Sequence, residues 1–137
     1  MRSMFVDTAA WVSAADATDA SGSAVRKARN QWLSDGGVLT TTDYVIDETL
    51  TTIRFRLGLD AAEAWWLQID GSARLRIESI DEARRERALS LFFRYRDKSF
   101  SFTDCCSFVL MRELRIRRAL TLDHHFRQAG FEVVPVL

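Results

Sequence analysis

Proline occurs once in this 137-residue sequence, and cysteine twice, at adjacent positions 105 and 106. Neighbouring cysteines do not form an ordinary structural disulfide, so no disulfide framework is expected. The spaced Cys and His ligands of a structural zinc site are missing too. The two histidines, His124 and His125, are also adjacent, and no G-x-S-x-G turn accompanies them. A serine–histidine hydrolase is therefore not indicated, and neither histidine is expected to be catalytic. No apolar run approaches the roughly 18 residues a membrane span needs. The N-terminal segment reaches Asp7 too soon to contain the apolar region of a signal peptide, so the chain is expected to be cytosolic. Neither sign of charge dominates, since the formal net charge is zero.

What is present suffices for a core. The apolar fraction of 47% and charged fraction of 28% are ordinary for a globular protein, and residues 1–137 are expected to form one domain. Charge is unevenly spread. Residues 1–73 carry 6 basic and 10 acidic side chains, whereas residues 74–137 carry 13 and 9. Nearly all the basic residues are arginine, which suits bidentate contact with phosphate, although most charged runs are solvated helix faces.

Apolar strand-like segments alternate with helical patterns along the whole chain. Ser3–Asp7, Val38–Thr42, Leu75–Ile80, Arg118–Asp123 and Phe131–Val136 read as strands. Helical periodicity falls on 24–33, 44–57, 61–69, 82–96 and a segment opening near Ser101, with short turns after Asp7 and Asp123. Asp43, Asp60 and Asp81 are expected to cap helices. Ser101-x-x-Asp104 has the form of a capping box, which puts Asp104 in a first helical turn. Pro135 places the last strand at a sheet edge. This alternation predicts an α/β fold with a mainly parallel sheet and helices on both faces.

Ligands of such sheets sit beyond the carboxyl ends of the strands. Asp7 and Asp123 end strands there, Glu48 lies one turn into a departing helix, and Asp104 opens another. Hard divalent cations take oxygen ligands, so four acids gathered at one sheet end point to a divalent-metal site, for Mg²⁺ in particular, and such a metal can activate water and orient a phosphodiester. A lone Asp before a helix is more often a cap than a ligand; it is the set that carries the inference. Asp47 adjoins Glu48, and about 100° of helical rotation keeps the two from facing the site equally. Cys105, Cys106, the tryptophans and the Phe92–Phe93 pair are expected to be packing or dimer contacts.

At these residues the sequence resembles the PIN-domain nucleases, and among them the VapC-type toxins of toxin–antitoxin pairs. The resemblance runs through Phe5-Val6-Asp7-Thr8, Asp43 to Leu50, Ser101-Phe102-Thr103-Asp104-x-x-Ser107, and Leu120-Thr121-Leu122-Asp123-x-x-Phe126-x-x-Ala129-Gly130-Phe131. It covers essentially the whole chain. It implies a three-layer α/β/α fold with a five-stranded sheet in order 3-2-1-4-5. It also implies a Mg²⁺- or Mn²⁺-dependent endoribonuclease, often dimeric, restrained by a cognate antitoxin. The family's acids fall on Asp7, Glu48, Asp104 and Asp123, and its hydroxyl residue on Thr103 or Thr8. Arginines of the second half, such as Arg84, Arg94, Arg112 and Arg115, are expected to contact RNA. Two other readings compete: a catalytically silent PIN-like domain that binds RNA or a partner, and a phosphoacceptor receiver domain. The second needs an acid pair near the first strand and a late lysine, and no lysine follows Lys98.

Overall fold

The computed structural model describes residues 2–136. Five strands, β1 (Ser3–Val6), β2 (Val38–Thr42), β3 (Leu75–Glu78), β4 (Arg118–Leu120) and β5 (Glu132–Val134), form one sheet in the order β3-β2-β1-β4-β5. All four pairings are parallel. This order is the one expected, and it excludes the receiver topology, whose strands run 2-1-3-4-5. Pro135 follows β5 at the sheet edge, where a missing donor costs no ladder bond.

The connections are helical. α1 (Thr8–Ala15) and α2 (Gly22–Ser34) join β1 to β2, while α3 (Asp43–Leu57) and α4 (Leu59–Ile69) join β2 to β3. α5 (Glu82–Arg94) and α6 (Phe102–Glu113) lead to β4, and the single turn α7 (His125–Gln128) leads to β5. α1 packs on α2 and α3, and α3 on α4; α5 packs on α6, and α6 on α7. Parallel crossovers are right-handed, so the change of direction across the sheet after β3 puts these two groups on opposite faces. The result is a three-layer α/β/α sandwich. The reversal leaves β1 beside β4, with Val6 in register with Leu120. A crevice therefore opens beyond the carboxyl ends of those two strands.

The core fills both interlayer spaces. Met4, Phe5 and Val6 of β1 are fully buried, as are Val25, Ile53, Phe108, Leu110, Met111 and Phe126 from the helices. β2 is buried throughout despite three threonines, because each hydroxyl finds a partner. Thr40 bonds Ser3, Thr41 donates to the Val6 carbonyl at 2.9 Å, and Thr42 accepts the Val45 N–H at 3.1 Å. Thr42, not Asp43, is thus the cap of α3; Asp43 instead accepts the Ile80 N–H at 2.9 Å and holds the end of β3. Asp60 lies within the first turn of α4, whose cap position is Gly58, whereas Asp81 does cap α5 by accepting the Arg84 N–H. On α5 the core face is Ala88 and Leu91, and Phe93 is 62% exposed. Both cysteines are buried, and burial lifts their thiols to about 11 and about 12, which makes them inert packing groups. Among the described residues no helix is long and apolar enough to cross a membrane.

Candidate active site

The crevice between β1 and β4 becomes a cleft of about 380 Å³ lined by Asp7, Thr8, Glu48, Arg56, Ser101, Asp104, Asp123 and His125, with Ala9, Val12 and Thr52. All four acids expected from the sequence therefore meet. Asp7 follows β1 directly and occupies the cap position of α1, yet its side chain makes no capping hydrogen bond. Its Oδ2 instead accepts the Thr121 hydroxyl at 2.9 Å. Thr121 stands next after Leu120, the partner of Val6, so the parallel register alone brings it to Asp7. The same hydroxyl oxygen accepts the Asp123 N–H at 2.9 Å, and one buried threonine thus orders two acids.

Asp104 does form the capping box. It accepts the Ser101 N–H at 3.1 Å, and Ser101 accepts the Asp104 N–H at 3.0 Å. The same carboxylate oxygen lies 2.9 Å from Nδ1 of His125, a nitrogen that is also 3.2 Å from Asp123. Cap and site residue are therefore one group here, so capping does not rule out a functional role. Asp123 in turn accepts the His125 N–H at 2.9 Å, the local turn that carries the ring into the cleft. Glu48 is exposed and forms the open rim, and Asp47 is not among the lining residues.

One expectation needs adjustment. Thr103 precedes Asp104 on the helix, about 100° round, and does not line the cleft; its carbonyl accepts the Ser107 hydroxyl at 3.0 Å. Thr8 does line it. The second-half arginines lie elsewhere: Arg84 is committed to Glu113 at 2.6 Å, and Arg56 is the one arginine of the cleft lining among the described residues. The sequence alone assigns Thr121 no role of its own and sets His125 aside. Their only sequence signal is the spacing of Thr121 and His125 two residues either side of Asp123, which favours side-chain-to-backbone turns.

The electrostatics are strained in the way a cation would relieve. Burial, then the neighbouring Asp104, raise the carboxyl of Asp7 to about 7, with the Thr121 hydrogen bond opposing. Asp104 is also raised, first by burial and further by Asp123, against the opposing bonds from Ser101 and His125. The buried Thr8 hydroxyl beside them has no hydrogen-bond partner among the described residues. Converging carboxylates with an orphaned hydroxyl fit a hard divalent ion. Donor atoms of Asp123, His124 and His125 lie within 4.8 Å of one another, so ring nitrogens border the oxygen set.

Comparison with known proteins agrees with this geometry. The PIN domain family matches residues 4–132. A 23S rRNA-specific endonuclease, VapC20, from two strains of Mycobacterium tuberculosis is 35% identical over 133 residues, covering 96% of this chain and 98% of that protein. The crystal structure of M. tuberculosis VapC20, described as a sarcin-ricin loop cleaving toxin, superposes with a TM-score of 0.84 at 32% identity, covering 93% of this chain and 95% of that one. The chain belongs to the PIN-domain family, and within it to the VapC-type toxins, which makes it an endoribonuclease.

Thr121 offers a test of how the acids are held. Thr121→Val keeps the shape but removes the hydroxyl from both Asp7 and Asp123. We expect RNA cleavage to fall about 10- to 100-fold, as when a partner that orients a ligand is lost. A cleavage rate equal to wild type would show that register alone orders the acids.

Proposed function

We propose that this protein hydrolyses RNA phosphodiester bonds with Mg²⁺ or Mn²⁺ held by Asp7, Glu48, Asp104 and Asp123. The observation that carries this is the buried pair Asp7 and Asp104, both held above the usual carboxylate range, first by burial and then by a neighbouring acid (Asp104 for Asp7, Asp123 for Asp104), with no lysine or arginine paired to either among the described residues. A bound divalent ion would supply Lewis-acid stabilisation of phosphate charge and a more acidic water. The chain's own groups do the rest. Thr121 and His125 orient the carboxylates, Thr8 lines the cleft with a hydroxyl unpartnered among the described residues, and Arg56 at the rim places a guanidinium where a phosphate would enter. Arg56 lies 3.5 Å from the buried Asp16, but its own side chain is 53% exposed, which leaves part of the guanidinium open to a phosphate.

The likeness to VapC20 supports ribosomal RNA as the substrate class, 23S rRNA being what that relative cleaves. VapC-type membership supports restraint by a cognate antitoxin. The exposed rings of Phe55 and Phe93 are apolar surface that a second copy could cover, in keeping with a homodimer acting in the cytoplasm. Purified protein should cut ribosomal RNA with Mg²⁺ or Mn²⁺ and stop in EDTA. Full cleavage in EDTA would remove the metal from the reading. Binding of RNA without cleavage under every metal condition would favour a silent PIN-like binding domain instead.

A further inference from the structure

We infer that the amino ends of the strands carry a second RNA-binding surface, which grips phosphodiester backbone at the end of the sheet opposite the cleft. The inference rests on the ribonuclease reading above. Arg2 precedes β1 and Asp7 follows it, so roughly 16 Å of extended chain separates the two ends. A cavity of about 360 Å³ at the amino end is lined by Arg2, Trp32, Arg76, Arg115, Arg117 and Arg118, with Glu132. Arg118 pairs with Glu132 at 3.0 Å, and Arg76 with Glu78 at 2.9 Å. Arg2, Arg115 and Arg117 form no ion pair among the described residues. Five guanidiniums thus line the cavity with a single carboxylate, Glu132, and Glu78 pairs with Arg76 from outside the lining.

Their setting is organised rather than merely solvated. The Trp32 indole is fixed by donating to the Val38 carbonyl at 2.8 Å. Arg2 and Arg118 stack on that ring, 4.7 and 5.0 Å from its centroid. Stacking leaves the N–H edge of Arg2 free for a bidentate phosphate contact, while Arg118 stays paired with Glu132. Arg118 also has a buried Nε without a partner among the described residues. Arg115 sits just past the end of α6 with φ of 57°, where glycine would be free of strain. An arginine there costs about 1 kcal/mol of backbone energy, and it gains a charge aimed at this surface.

A second cavity of about 460 Å³ shares Arg115, Arg117 and Glu132 with the first. The basic surface is therefore a strip, which suits a chain of phosphates better than one small anion. Every charged donor on it reads phosphate, so the contact is independent of base sequence. It adds affinity for a large folded RNA whose scissile strand occupies the cleft.

The test uses Asp104→Asn protein, so that RNA stays intact, and fluorescence anisotropy over a range of salt. The probes are a structured ribosomal RNA fragment long enough to reach both ends of the sheet, and a short oligonucleotide that fills only the cleft. Adding Arg115→Asn (asparagine tolerates the left-handed backbone) with Arg117→Gln should weaken binding of the long fragment about tenfold and lower its log–log salt slope by about 2. The single change Arg117→Gln, expected to lower the slope by about 1, decides the matter should circular dichroism show the pair unfolded. Unchanged affinity and slope for the long fragment would overturn the inference. So would an equal loss on the short oligonucleotide. Cleavage of the short oligonucleotide by wild type tests the ribonuclease reading separately.

Discussion

In EDTA at pH 8, Asp7→Asn should melt at a higher temperature than wild type while losing cleavage. Asp7 is buried and its carboxyl is raised from 3.8 to about 7, chiefly by burial and then by Asp104. A folded-state acid raised above its unfolded value keeps its proton where the unfolded chain has lost it. The associated stability is complete below pH 4, declines as pH rises, and is gone above about pH 7. The shift corresponds to on the order of 4 kcal/mol. Asparagine carries no charge at any pH and can still accept the Thr121 hydroxyl. The wild-type melting temperature without metal should therefore fall between pH 5 and pH 8, and that of the variant should stay nearly flat. Saturating Mg²⁺, at about 100 times its dissociation constant, should return roughly 2.7 kcal/mol to wild type and little to the variant. Should the variant melt below wild type in EDTA at pH 8, the carboxylate of Asp7 would be a structural acceptor and not a strained ligand.

Asp104→Asn should reduce RNA cleavage by on the order of 10³-fold, the scale of losing one preorganised electrostatic group. The fold should survive, because asparagine retains one oxygen for the Ser101 N–H and α6 keeps the reciprocal cap from Ser101. Its effect on stability is expected to be smaller than that of Asp7→Asn. Relief of its repulsion of Asp7, and of its own repulsion by Asp123, is offset by a weaker bond to His125. Circular dichroism separates a folded, inactive variant from an unfolded one. Turnover at the wild-type rate would place the chemistry outside this cleft.

Much of this was open to reading in the residues alone. Strand and helix identity follow from apolar period and capping chemistry, which are local properties, and Ser101 with Asp104 forms the box its spacing predicts. The meeting of four acids was also legible, since an alternating α/β chain must present its strand ends on one side. Element ends were less so. β4 was expected to reach Asp123 but stops at Leu120, because Thr121 and Asp123 turn their side chains back onto nearby N–H groups and curl the chain out of the ladder. β5 likewise ends at Val134.

What only the tertiary structure decided is which side chains touch across distance. The Thr121–Asp7 bond spans 114 residues and exists because Val6 and Leu120 share a register, a fact that no local pattern contains. The capping of α3 by Thr42, with Asp43 freed to hold Ile80, depends on where β3 ends beside β2. The sequence showed an arginine-rich second half but not its direction. Helix C-termini and loops entering β4 carry Arg115, Arg117 and Arg118 to the amino end of the sheet, while the acids collect at the carboxyl end. Charge composition is a property of the chain; its separation into two poles arises from parallel strands that all point the same way.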